Sequence, residues 1–196
     1  MPFDKQYYQR FYTDPKTSVT SRGEMQRRAA LIAAAVNYLD LPVRRILDAG
    51  CGLGLLRAPL LRDFRRAEYT GLEMSQYLCR RYGWQLGTMQ GWRTRKRFEL
   101  VVCYDVMQYL TTGEAKLAIA NLALWCRGVL YFSALTVEDW LYNCDQSRTD
   151  KVPGIRRANW YRRELQKYFR PMGCGLWLRQ DSPIVAWEMD QAATVR

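Results

Sequence analysis

The residues with the clearest chemical potential are three glycines at alternate positions, Gly50, Gly52 and Gly54, in the segment Arg45-Ile46-Leu47-Asp48-Ala49-Gly50-Cys51-Gly52-Leu53-Gly54. An apolar strand-like run leads into them and a helical pattern follows. A tight strand-to-helix turn needs backbone with positive φ, and the missing side chains let a ligand approach the main chain. Nucleotide-type ligands use such turns, so the spacing must choose among them. A phosphate-binding P-loop would place Lys and then Ser or Thr after the last glycine, where Leu55-Leu56 stand. A dinucleotide fingerprint would need Gly or Ala at position 55, which is Leu. Neither pattern fits.

A second chemical statement is negative. The 196 residues contain no histidine. That excludes Ser-His and Cys-His nucleophile pairs, an imidazole base and His-containing zinc sites. The six cysteines are scattered without a CxxC pair, and no metal ligand set is expected. Any proton moved here travels on Asp, Glu, Tyr, Cys, Lys or solvent.

The elements that must position these residues read as an α/β protein with a mostly parallel sheet. Residues 1–42 are expected to form an N-terminal helical cap. It begins with the aromatic group Tyr7, Tyr8, Phe11 and Tyr12, turns at Asp14-Pro15, and continues in a helix from Ser21 to Leu39 whose apolar positions Ala29, Ile32, Ala33 and Val36 recur at helical spacing. Residues 43–196 should then alternate: strand 44–49, helix 55–64, strand 68–73, helix 75–82, a short strand 84–88, a buried strand 98–104, a helix 113–126 capped by Thr111 or Thr112, and strand 128–132. Residues 134–158 read as irregular, a long connection for a compact domain and hence a functional suspect. A helix at 160–169, broken by Pro171, and the apolar runs 175–178 and 184–187 read as the closing elements, the two runs pairing as an antiparallel hairpin.

The Asp-x-Gly-x-Gly-x-Gly turn resembles motif I of the class I S-adenosylmethionine-dependent methyltransferases. Two further segments arrive in that family's order: Tyr69-Thr70-Gly71-Leu72-Glu73-Met74-Ser75, and Phe98-Glu99-Leu100-Val101-Val102-Cys103-Tyr104-Asp105-Val106-Met107-Gln108-Tyr109-Leu110. The resemblance spans residues 43–135. It implies a seven-stranded, mostly parallel sheet with an antiparallel C-terminal hairpin and helices on both faces, and S-adenosylmethionine as cofactor. A carboxylate about 20 residues past the turn can accept both ribose hydroxyls, and the resemblance gives that role to Glu73. It places the methionine portion of the donor at Gly50, Cys51, Gly52 and Gly54, with Asp48 beneath them, and puts Met74, Met89 and Gln90 near the adenine. Tyr104, Asp105 and, from the cap, Tyr12 and Arg22 complete the expected donor contacts. Capping or packing is the competing role for Asp48, Met74 and Asp105.

Tyr109 stands where many small-molecule members carry His. With an ordinary pKa near 10 it suits a wall or positioning role better than that of a base. Methyl transfer from a sulfonium needs alignment above all, so the absence of His is compatible with it. Candidate catalytic groups are Tyr109, Asp105, Asp139 and Asp145, with Asp150 a further possible base. The acceptor expected from this aromatic and acidic lining is a small amine or polar aromatic molecule.

Thirty Lys+Arg against 19 Asp+Glu give a net charge of +11. Residues 1–98 hold 18 basic and 8 acidic side chains, and residues 99–196 hold 12 and 11. Most of the surplus lies in Arg pairs and in the run Arg93-Thr94-Arg95-Lys96-Arg97, read as solvated helix faces and loop tips. The acceptor segment 134–165 is nearly balanced, which favours a small molecule over the alternative of an RNA substrate. A third reading is a donor-binding protein with non-methylating chemistry or a scaffold role. No apolar run reaches the roughly 20 residues a membrane helix needs, and Met1-Pro2-Phe3-Asp4-Lys5 lacks a signal-peptide profile. A cytoplasmic monomer or homodimer is expected.

Overall fold

A computed structural model of the chain describes residues 3–13, 18, 20–147, 149 and 154–184. The Asp14-Pro15 turn, Asp150 and residues 185–187 lie outside these.

Seven strands form one sheet: β1 (Arg45–Ala49), β2 (Glu68–Glu73), β3 (Gln85–Leu86), β4 (Phe98–Tyr104), β5 (Cys126–Ser133), β6 (Phe169–Gly173) and β7 (Leu176–Arg179). Their order is β3-β2-β1-β4-β5-β7-β6, and β7 runs against the other six. The helices are α1 (Lys5–Tyr8), α2 (Arg22–Tyr38), α3 (Arg57–Asp63), α4 (Gln76–Tyr82), α5 (Thr112–Trp125), α6 (Val137–Tyr142) and α7 (Ala158–Leu165).

The period-two alternation of the central strands divides the core. Ile46, Leu100, Val102 and Val129 pack on one face with Met25, Ala29, Ile32 and Val36 of α2 and Leu60 of α3. Leu47, Val101, Cys103 and Leu130 pack on the other with Ala115, Ala118, Ile119 and Leu122 of α5 and Tyr161 and Leu165 of α7. Both faces being covered is why the β4 sequence is continuously apolar. Fully burying a side chain such as Ile32 or Leu122 contributes roughly 1.5–3 kcal/mol each.

Local signals set the helix ends. The Ser21 side chain accepts the Glu24 amide at 3.1 Å to start α2. Thr111 and Glu114 form a reciprocal capping box that starts α5. The expected strands 68–73 and 98–104 are observed with those bounds.

Three expectations need correction. The connection 134–158 is not wholly irregular, because Thr136 and Asp139 build a capping box that starts the six-residue α6. A helix of six residues with none of its side chains buried is too short to show a helical period. The last helix ends at Leu165 rather than Phe169, whose ring is fully buried in the core as the first residue of β6. Pro171 therefore sits inside a strand, which is tolerated because β6 is the edge of the sheet and one side of it needs no ladder bond. The hairpin partner of 176–179 is the preceding run 169–173, joined through Gly173, Cys174 and Gly175, all three with positive φ. That tight left-handed turn reverses the chain before 184–187 is reached.

Arg156 fastens the 134–158 connection. It is 9% exposed, and its guanidinium donates to the carbonyls of Met107, Gly154 and Leu110 and to the Tyr161 hydroxyl. Its position is reinforced by the Trp160 ring 5.0 Å away.

Candidate active site

Parallel strands deliver their carboxyl ends to one edge of the sheet, and ligands of open α/β sheets bind there. At that edge a cavity of about 560 Å³ is lined by the turn after β1, the ends of β2 and β4, the loop after β3 and the N-terminal segment. Its volume is within the roughly 300–1,000 Å³ usual for small-molecule sites.

The glycine turn forms its floor. Gly50, Gly52 and Gly54 have φ of +81°, +52° and +68°. A methyl group on Gly50 would come within 2.5 Å of Val106 Cγ2, whereas one on Gly52 would meet nothing closer than Tyr8 Cε1 at 4.0 Å. Gly52 therefore keeps space open for a ligand. Gly54 does not line the cavity. A methyl group there would lie 2.5 Å from Trp84 Cζ2, and the Trp84 indole donates to the Gly52 carbonyl at 3.0 Å. The third glycine is thus a packing requirement that holds the first two in place.

Glu73, at the end of β2, is 5% exposed. Its two carboxylate oxygens accept the Gly52 amide at 3.0 Å and the Ser75 amide at 2.8 Å. The carboxylate is pinned across the glycine turn and lines the cavity with lone pairs to spare for hydroxyl donors. Cys51 also lines it, and burial first, then the nearby Asp48 and Glu73 carboxylates, push its thiol pKa up, so it stays a neutral packing group. Met74 lies at the rim, half exposed, and Met89 and Gln90 line the opposite end. Asn121 of α5, which sequence reasoning missed, holds that end by donating to the Met89 and Gln90 carbonyls at 2.7 and 3.3 Å. A lone Asn in an apolar helical pattern was the available signal.

Asp48 is buried, and Tyr69, also unforeseen, donates to it at 2.5 Å. Burial pushes the Asp48 pKa up to about 7, the Tyr69 hydrogen bond opposes this, and the Glu73 charge adds to it. Its pKa rises on folding, so the folded state holds an extra proton between about pH 4 and pH 7. Stability is lost as pH rises through that window. Asp48→Asn is expected to remove this decline, making the variant gain on the parent between pH 5 and pH 8. Urea unfolding across that range is the measurement, and parallel curves for the two proteins would refute the assignment.

A second cavity of about 390 Å³ adjoins the first, sharing Tyr7, Tyr12, Tyr104, Asp105 and Tyr109 as common wall. The Tyr7 and Tyr109 hydroxyls lie 2.9 Å apart, and Phe3 meets both rings edge-on. The N-terminal segment is tied down by the Ser75 hydroxyl donating to the Phe3 carbonyl at 2.6 Å. Asp105 adopts φ of +57°, a strained position for a residue with a side chain. Gln108 donates to its carbonyl at 3.0 Å and to its carboxylate at 2.5 Å. Burial raises the Asp105 pKa, Gln108 and Arg28 counteract that, and Glu24 and Asp139 add to the rise. Arg28 lies 4.0 Å over the Tyr104 ring, bonded to Tyr131 and Glu24. Its role was not foreseen, since it reads in sequence as one of an Arg pair.

The remaining sequence candidates separate. Tyr12, like Tyr109 and Asp105, faces both cavities. Asp139 lines only the second, where its carboxylate is engaged by Thr136 and Asn143. Burial raises its pKa, and these hydrogen bonds outweigh that and hold it below the usual value. Asp145 lines neither cavity and organises its own turn through Ser147. Arg22 is exposed at the start of α2 and lines neither.

No family model and no curated protein matches the chain. Solved structures do. The N-methyltransferase NodS from Bradyrhizobium japonicum WM9, in complex with S-adenosylhomocysteine, is 15% identical with a TM-score of 0.63 over 90% of this chain and 98% of that one. Magnesium protoporphyrin IX methyltransferase (ChlM) from Synechocystis PCC 6803, with bound S-adenosylmethionine, is 19% identical with a TM-score of 0.58 over 89% and 90%. The chain spans only 58% of the length of an O-methyltransferase family protein from Burkholderia thailandensis, and 52% of Streptomyces venezuelae DesVI. The strand order, the glycine turn and these likenesses define the fold as that of the class I S-adenosylmethionine-dependent methyltransferases. Among the described residues no helix is long and apolar enough to cross a membrane.

Proposed function

We propose that the chain binds S-adenosylmethionine in the larger cavity and transfers its methyl group to a small-molecule acceptor in the smaller one, an amine or a polar aromatic molecule suiting the lining best. The observation that carries this reading is the junction of the two cavities at Asp105, Tyr104, Tyr12 and Tyr109. NodS and ChlM, crystallised with S-adenosylhomocysteine and S-adenosylmethionine, lend the cofactor half of it support.

The residues fit the cofactor on three grounds: the open space before Gly52, the pinned Glu73 carboxylate, and a cavity of suitable volume. When bound, the sulfonium supplies a methyl group whose transfer leaves a neutral thioether. Glu73 accepts the ribose hydroxyls, and Met74, Met89 and Gln90 border the adenine. Phe3, Tyr7 and Tyr109 exclude water, and alignment of this kind is worth roughly 7–11 kcal/mol. Asp105 accepts a proton from the acceptor or holds its ammonium. Asp139, engaged as a helix cap, contributes negative charge instead of basicity, and no role is assigned to Asp145 or Arg22.

Calorimetry with S-adenosylhomocysteine tests the cofactor half, and absence of binding would overturn it. Labelled donor with a cell extract, with and without RNase, tests the acceptor half. Label in the small-molecule fraction supports the proposal, RNase-sensitive label supports an RNA acceptor, and donor consumption without transferred label supports a non-methylating reaction. With a hydroxyl of a polar aromatic molecule as acceptor, Asp105→Asn is expected to lower turnover about 100-fold and abolish the acidic limb of the pH–rate profile. An unchanged limb would assign the proton to another group.

A further inference from the structure

Neither cavity absorbs the basic surplus of the first half of the chain. The strands β1, β2, β4 and β5 are parallel, so their first residues share the end of the sheet opposite the cavities. Segments remote in sequence bring basic side chains to that end. Arg44 and Arg45 lie at the start of β1, Arg65 and Arg66 lead into β2, Arg95, Lys96 and Arg97 lead into β4, and Arg127 is the second residue of β5.

Their convergence is visible in the contacts. Arg45 stands opposite Glu68, and Phe98 opposite Cys126. Lys96 Nζ reaches Glu68 at 2.7 Å, Arg97 donates to the Cys126 carbonyl at 3.1 Å, and Arg45 and Arg127 both pair with Glu99. Eight cations thus face Glu68 and Glu99, and even with Asp40 and Asp63 of the same connections the surplus is four. Arg44, Arg65, Arg66, Arg95 and Arg97 are exposed and form no ion pair among the described residues.

We propose that this end of the sheet binds the phosphodiester backbone of a single-stranded nucleic acid as a docking contact separate from the methyl-transfer site. Seven of the eight cations are arginine, whose planar fork matches phosphate oxygens bidentately where a lysine offers a point charge. Neighbouring strand ends are about 4.8 Å apart, so four of them present a row about 14 Å long, suited to tracking one backbone. The bound strand is a partner and not the methyl acceptor. The seven residues of β4, at about 3.3 Å each, separate the row from Asp105 by about 23 Å.

The test is fluorescence anisotropy with a labelled 20-nucleotide oligouridylate. Binding is expected at 50 mM NaCl, with a log–log salt slope of about −3.5 if five arginines each neutralise one phosphate. The quadruple variant Arg65→Glu/Arg66→Glu/Arg95→Glu/Arg97→Glu is expected to lose at least tenfold in affinity while its affinity for S-adenosylhomocysteine is unchanged, which shows that it folds. The variant Arg27→Glu/Lys116→Glu, on the earlier halves of α2 and α5, is expected to bind the oligonucleotide nearly as the parent does. No anisotropy change up to 100 μM protein, equal losses in both variants, or binding only to phosphatidylserine vesicles would overturn the proposal.

Discussion

Glu73→Ala is expected to lower affinity for S-adenosylmethionine and S-adenosylhomocysteine by about 100-fold or more in titration calorimetry. Two ribose hydroxyls donating to a carboxylate form charge-assisted hydrogen bonds worth about 1.5–3 kcal/mol each. The carboxylate also accepts the Gly52 and Ser75 amides, so alanine additionally frees the glycine turn and lowers stability. Glu73→Gln separates the two effects. Glutamine keeps one acceptor oxygen for a backbone amide but sets an NH₂ donor against the other, so it is expected to keep part of the stability that alanine loses and to lose about tenfold to 100-fold in donor affinity. Equal donor affinity for the glutamine variant and the parent would remove Glu73 from the ribose site.

The second large effect is expected at Gly50. Its φ of +81° lies in the left-handed region, and an added methyl group would overlap Val106 Cγ2 at 2.5 Å. Left-handed backbone costs a residue with a side chain roughly 1–2 kcal/mol, and overpacking adds about 1–3 kcal/mol. Gly50→Ala is therefore expected to lose about 2–5 kcal/mol in urea unfolding and to bind the donor poorly, because relief of the overlap moves the turn or the residues around Asp105. Val106→Ala in the same chain removes the overlapping methyl groups and is expected to recover part of the stability but not the backbone strain. A double variant no more stable than Gly50→Ala alone would show that strain, and not overlap, dominates. Gly52→Ala serves as the contrast. The space before it is open, so its defect should fall on ligand binding more than on stability.

The missing histidines acquire a structural meaning from these contacts. Tyr109, in the position where a base would stand, joins Tyr7 in the wall between the cavities, with Phe3 packed edge-on against both rings. Asp105 is the titratable group held in strained backbone where the two cavities meet. Under the proposed function, proton handling falls to this carboxylate, and the aromatic groups exclude water.

The sequence by itself determined most of the sheet's architecture and the glycine turn and carboxylate that line the larger cavity, because those features are written in local and periodic terms. Alternate glycines after an apolar run specify one kind of turn. An acid at the end of the next strand specifies one place beside it, and helical spacing with capping residues specifies where α2 and α5 begin. Tertiary structure alone decided the rest. Gly54 is constrained by Trp84, thirty residues later, and Asp48 by Tyr69. The stapling of the 134–158 connection depends on Arg156 reaching carbonyls nearly fifty residues away. Whether Asp139 or Asp145 borders a cavity depends on how that connection folds back. The same holds for the charge: Arg pairs that look like scattered loop tips become one cationic row, because parallel strands align their starting residues at a single end of the sheet. Contacts of that range follow from strand register and packing, which no local pattern encodes.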